Sequence, residues 1–131
     1  MSMLERINAP GAPQPRGPYS HAVRAGDFIY VSGQVALDPK TNEFAIGTVA
    51  QETRRTLDNI RSILEAAGAD LEDVVKCSVF LTDVRNFAEM NEVYNEYFGK
   101  AKPARTTVQA VLPAVGVKIE IDCVAYKPAS R

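Results

Sequence analysis

Arg105 and Glu120 are the residues whose types and positions most invite a chemical reading. Arg105 follows a proline in KPARTTVQAVLP, at the head of an apolar, β-branched run. A guanidinium cannot shed its charge and is almost never fully buried without a partner. Arg105 therefore either points to water where the strand begins or is held there to grip an anion bidentately. Glu120 lies in VKIEIDCVAY, and a partly buried carboxyl can hold a water or protonate a leaving group once desolvation raises its pKa. Spacing alone fits a carboxylate clamp beside a water-handling acid. It equally fits a surface salt bridge or two solvated charges.

Weaker candidates surround this pair. Tyr19, after Gly17-Pro18, is a pocket wall or a core or interface aromatic. Ser32 precedes Gly33, which permits close backbone approach to a ligand or marks a bulge or strand end. His21 is the only histidine; with no Ser or Cys nucleophile in a recognisable motif beside it, it reads as a surface or interface residue. Cys77 and Cys123 are far apart and each sits in an apolar stretch. Neither a disulfide scaffold nor a C-x-x-C metal site fits that spacing, so both read as buried reduced thiols.

The elements that must position these groups follow from periodicity. YSHAVRAG and DFIYVSGQVAL are β-like runs joined at Ala25-Gly26, and DPKTNE is a second turn. From Thr48 the period turns helical through Val49, Thr53, Leu57, Ile60, Leu64 and Ala67, with Thr48 as N-cap and Gly68 as stop. DVVKCSVFLTD returns to β. Asp83 is placed to cap a second helix, with Phe87, Met90, Tyr94, Tyr97 and Phe98 on one side before Gly99. RTTVQAVL and VKIEIDCVAY follow as strands, expected to form a hairpin through LPAVG that brings Arg105 and Glu120 to one side of the sheet. The order β-β-α-β-α-β-β predicts an α+β fold, a mixed sheet with two helices packed on one face. In the last strand, Val117, Ile119, Ile121, Cys123 and Ala125 should lie under the helices, with Glu120 on the opposite face. That second face carries too many apolar residues to stand free, which predicts a homo-oligomer.

Bulk properties exclude several classes. The 131 residues suit one domain, 1–131, with 1–18 as a Pro- and Gly-rich extended arm. Fifteen basic against sixteen acidic residues give a net charge of −1, without the basic excess of a nucleic-acid binder. No run approaches a membrane span, and MSMLERINAPGAP lacks a secretory core. A cytoplasmic location is expected.

Taken together, NAPGAPQPRGPYSHAV, YVSGQVALDPKTNE, LDNI with EAAG, NFAEMNEVY, PARTTV and VKIEIDCVAY resemble the RidA/YjgF family of imine/enamine deaminases over nearly the whole chain. The resemblance implies a chorismate-mutase-like α+β domain forming homotrimers with sites between subunits. It implies cofactor-independent hydrolysis of 2-aminoacrylate and 2-iminobutanoate to 2-keto acids and ammonia, with no metal. Arg105 would clamp the substrate carboxylate and Glu120 would position the attacking water. Tyr19, Ser32 and Gly33 match pocket positions, Phe87 and Asn91 lie near the pocket wall, and Thr107 contributes its backbone where relatives often carry cysteine. His21 replaces a more usual glutamine. The alternatives are a non-catalytic module sensing a 2-keto acid, and a ribonuclease or translation inhibitor.

Overall fold

The structure is a computed structural model that describes residues 4–129. In chain order the elements are β1 (Leu4–Ile7), β2 (Ala22–Ala25), β3 (Phe28–Gln34), α1 (Val49–Ala66), β4 (Val74–Leu81), α2 (Phe87–Phe98), β5 (Ala104–Gln109) and β6 (Ile119–Tyr126). Single 3₁₀ turns at Leu71–Asp73 and Val84–Asn86 lead into β4 and α2. The strands form one six-stranded mixed sheet in the order β1-β2-β3-β6-β4-β5, with only β4 and β5 parallel. The fold is α+β, as expected, with one further strand. β1 falls inside the predicted arm, whose residues 1–3 lie outside the described residues. LERI buries only Ile7; backbone pairing to β2 makes it a strand, and that pairing leaves no side-chain period to read.

α1 begins where the sequence says it should. The Thr48 hydroxyl accepts from the Gln51 N–H at 3.1 Å and the Gln51 side chain accepts from the Thr48 N–H at 2.9 Å, a reciprocal cap. Gly68, at φ +82°, ends the helix in a conformation side chains disfavour. Leu57, Ile60, Ile63 and Leu64 are wholly buried against the sheet, each contributing about 1.5–3 kcal/mol of burial. Asp83 caps the 3₁₀ turn rather than α2, accepting from the Arg85 N–H at 2.9 Å. α2 starts at Phe87 without a side-chain cap and buries Met90, Val93, Tyr94 and Phe98, while Phe87 stays exposed. Gly99 keeps a right-handed φ of −61°; the left-handed residue after α2 is Lys102, at φ +48°.

The predicted β5–β6 hairpin does not form. A parallel pair needs a crossover, and α2 supplies one that lays β5 on the outer edge of β4. β6 inserts between β3 and β4, antiparallel to both, so β4 separates β5 from β6. The alternation predicted for β6 holds: Ile119, Ile121, Cys123 and Ala125 are buried under the helices with Ile29, Val31, Cys77, Val79 and Leu81. Phe28, Tyr30 and Tyr126, on the other face, stay 40–49% exposed. The two cysteines face each other across β4 and β6 as free buried thiols.

Candidate functional site

Register decides which candidates meet. Arg105 is opposite Cys77 on β4, and Glu120 is opposite Phe80 on the same strand. The offset of three residues and two strand spacings places the two backbones about 14 Å apart. Because that offset is odd, the two side chains also leave opposite faces of the sheet. The expectation that they share the helix-free side is therefore wrong for Arg105. It points with Cys77 toward α2, while Glu120 keeps its predicted face. One chain builds two candidate half-sites.

The first half-site surrounds Glu120. A cleft of about 530 Å³ is lined by Tyr19, Gly33, Gln34 and Glu120, with Arg16 and Phe44 nearer the arm and the DPKTNE turn. A Cβ on Gly33 would lie 2.4 Å from Glu120 Oε2, so only glycine allows the carboxylate its place against the β3 backbone. Burial raises the Glu120 pKa above its ordinary value, and the neighbouring Asp122 carboxylate adds to the rise. Tyr19 is 46% exposed and its hydroxyl accepts from the Arg16 N–H at 3.2 Å. Ser32 does not line the cleft; its hydroxyl donates to the Ser20 carbonyl at 2.7 Å, holding the strand to the segment that carries Tyr19.

His21 is not a surface residue. It is 3% exposed, accepts at Nδ1 from the Ala9 N–H at 2.8 Å and meets the Pro13 carbonyl through Nε2. Acceptance at Nδ1 leaves the proton on Nε2 to donate. Both ring nitrogens thus fold the arm back beside the cleft. That function depends on backbone groups Ala9 and Pro13, which sequence spacing does not bring to His21.

The second half-site surrounds Arg105. Its Nη1 donates to Asn91 Oδ1 at 2.7 Å, and its Cζ lies 4.7 Å from the Tyr94 ring centroid and 5.5 Å from that of Phe87. Among the described residues no carboxylate forms an ion pair with it. A guanidinium held by an amide oxygen and two ring faces keeps its charge uncompensated and part of its N–H fork open, which suits it to an anion. α2 supplies all three partners at its successive turns. Thr107 lies on the same strand face as Arg105, with a buried hydroxyl that has no hydrogen-bond partner. Behind the cluster, burial pushes the Cys77 thiol up to about 11, against the opposing pull of the Tyr94 hydroxyl and the Arg105 charge. Arg16, Phe44 and Tyr94 are participants that the sequence did not single out. Tyr94 reads as core by helical period, and nothing local links Arg16 to the cleft.

Known proteins resemble this chain over nearly its whole length. The RutC family protein of Pyrococcus horikoshii is 50% identical over 125 residues, covering 95% of this chain and 99% of the relative. The 2-iminobutanoate/2-iminopropanoate deaminase of Dermatophagoides farinae is 37% identical over 124 residues, covering 95% and 97%. Among solved structures, RidA from Psychrobacter aligns with a TM-score of 0.88 at 41% identity, covering 93% of this chain and 98% of that one. The family model described as endoribonuclease L-PSP matches residues 9–127. The chain belongs to that family, the YjgF/RidA family.

Proposed function

We propose that the protein is a cofactor-independent imine deaminase, hydrolysing 2-imino and enamine acids such as 2-aminoacrylate and 2-iminobutanoate to 2-keto acids and ammonia. The observation that carries the reading is Arg105, a cation fixed by Asn91 and two aromatic faces with no carboxylate partner among the described residues. In this reading its open N–H groups grip the substrate carboxylate. Glu120 takes a proton from water as the water attacks the imine carbon and passes it to the nitrogen. It then relays the carbinolamine hydroxyl proton to the same nitrogen as the C–N bond breaks, the carbonyl forms and ammonia leaves. An imine carbon is already electrophilic, so orientation and one proton carrier can carry most of the acceleration. The raised pKa suits Glu120 to both directions of transfer.

Because Arg105 and Glu120 leave opposite faces, the complete site takes Arg105 from one copy and Glu120 from another. We take the assembly to be the homotrimer that the family resemblance implies, with the exposed Phe28, Tyr30 and Tyr126 face covered by neighbouring copies. Two unbridged thiols suit the reducing cytoplasm, where we place the protein. No helix among the described residues is long and apolar enough to cross a membrane.

The test couples a dehydratase that makes 2-iminobutanoate to semicarbazide trapping of what survives. Wild type is expected to suppress the trapped product, and Arg105→Ala to abolish suppression. If wild type leaves the decay rate unchanged, the enzyme reading fails and a keto-acid-binding module takes its place. The family description favours a second reading, ribonuclease activity. The only histidine is buried with both ring nitrogens engaged, and the net charge is −1. RNA cleavage that survives removal of contaminating nucleases would restore that reading.

A further inference from the structure

The Glu120 cleft contains a cation of its own, Arg16, for which the deaminase reading has no use. Arg16 lines the same cleft as Tyr19, Gly33 and Glu120. Its Cζ lies 4.5 Å from the Phe44 ring centroid, and Nη2 donates to the Asn42 carbonyl. Its backbone N–H is tied to the Tyr19 hydroxyl at 3.2 Å, so the arginine is referenced to the pocket wall. Among the described residues no carboxylate forms an ion pair with Arg16. Holding the DPKTNE turn to the arm needs a single donor, which a neutral amide would provide. A guanidinium stacked on a ring and anchored by one N–H still presents donors around its edge. Preset in this way by neutral partners, it loses little freedom on meeting an anion.

The dimensions and lining of the cleft agree. Its volume of about 530 Å³ lies in the range that accepts ligands well beyond a small monocarboxylic acid. Val35, Leu37 and Phe44 give it an apolar wall that methylene groups can follow. We propose that Arg16 reads a second, distal carboxylate, so that the preferred substrate is a dicarboxylic 2-imino acid. This rests on the deaminase reading, in which Arg105 of another copy holds the first carboxylate. Arg16 also offsets the repulsion that Glu120 would exert on such a dianion. The reaction supplying the substrate would then be two-electron oxidation of an acidic amino acid at its Cα–N bond, with a flavin or nicotinamide oxidant, rather than β-elimination of water from a hydroxy amino acid.

The experiment generates imines in place from aspartate, glutamate and 2-aminobutyrate with amino acid oxidases and traps the survivors with semicarbazide. Wild type is expected to have the higher kcat/KM on the dicarboxylic imines. Arg16→Met keeps an apolar stem over Phe44 without the charge. It should lower the dicarboxylic-to-monocarboxylic ratio of kcat/KM about tenfold or more, and Arg16→Lys should lower it less. An unchanged ratio, with 2-aminobutyrate imine still hydrolysed, overturns the role of Arg16 and leaves the deaminase reading standing. If no imine is hydrolysed, the deaminase reading fails, and calorimetric titration of 2-oxoglutarate and 2-oxobutanoate decides Arg16 separately. Selective loss of 2-oxoglutarate affinity in Arg16→Met upholds the anion site; equal affinities in both proteins overturn it.

Discussion

Glu120 and Gly33 form a unit in which one residue is defined by what the other lacks. A methyl group on Gly33 would meet Glu120 Oε2 at 2.4 Å, and a flexible carboxylate end can rotate away where backbone could not. Gly33→Ala is thus expected to lower kcat/KM about tenfold or more by misplacing the proton carrier, while the melting temperature changes little. Burial and Asp122 both raise the Glu120 pKa. Asp122→Asn removes the second cause, so the acid limb of the kcat/KM profile should move to lower pH. For stability the sign runs the other way. The folded protein favours the protonated Glu120, so its contribution is complete below the unfolded glutamate value and is lost as pH rises through the folded one. Glu120→Gln should therefore melt higher at neutral pH while losing turnover, a combination that thermal scans and the trapping assay can read together.

At the scale of elements, the first turn of α1 carries an unusual load. Glu52 is wholly buried and accepts from the Gly47 N–H, the Lys118 N–H and Lys118 Nζ at 3.2, 2.7 and 3.2 Å. It ties the helix start to the residue preceding β6, and hence to Glu120 two positions further on. Glu52→Gln turns one acceptor into a donor facing donors, and is expected to cost about 2 kcal/mol. The check is the denaturation midpoint at fixed protein concentration. The role of this carboxylate was not legible in the sequence, because two of its three donors, the Lys118 N–H and the Lys118 ammonium, come from a residue distant along the chain. By contrast Thr48 and Gly68 were legible, since caps act within one turn. Asp83 was half legible: its carboxylate does cap a following N–H, that of Arg85, but that residue belongs to a 3₁₀ turn.

The whole molecule is where Arg105 and Glu120 have to be reconciled. They lie on opposite faces of one sheet, so a site that uses both is shared between copies. Arg105→Ala and Glu120→Gln should each be inactive alone. Co-refolded in equal amounts, they should regain about one quarter of wild-type activity, because that fraction of shared sites draws both intact residues in a cyclic trimer. A mixture that stays inactive while native mass spectrometry reports mixed trimers would end the shared-site reading. In the shared-site reading the exposed Phe28, Tyr30 and Tyr126 would also have a use, since covering an apolar sheet face and completing a site can be one event.

Local structure was readable from the residues alone: the α1 cap and stop, the buried alternation of β6, the α+β class and the two chemically expressive side chains. These depend on periods and contacts a few residues long. Long-range strand pairing put β6 between β3 and β4 and β5 on the outer edge of β4. It also decided that Arg105 turns to α2 while Glu120 turns away. Pairing of distant strands sets that outcome, and a register offset of one residue suffices to move a side chain to the other face. The arginine and the glutamate were visible from the start; their separation, and the second arginine beside the glutamate, were not.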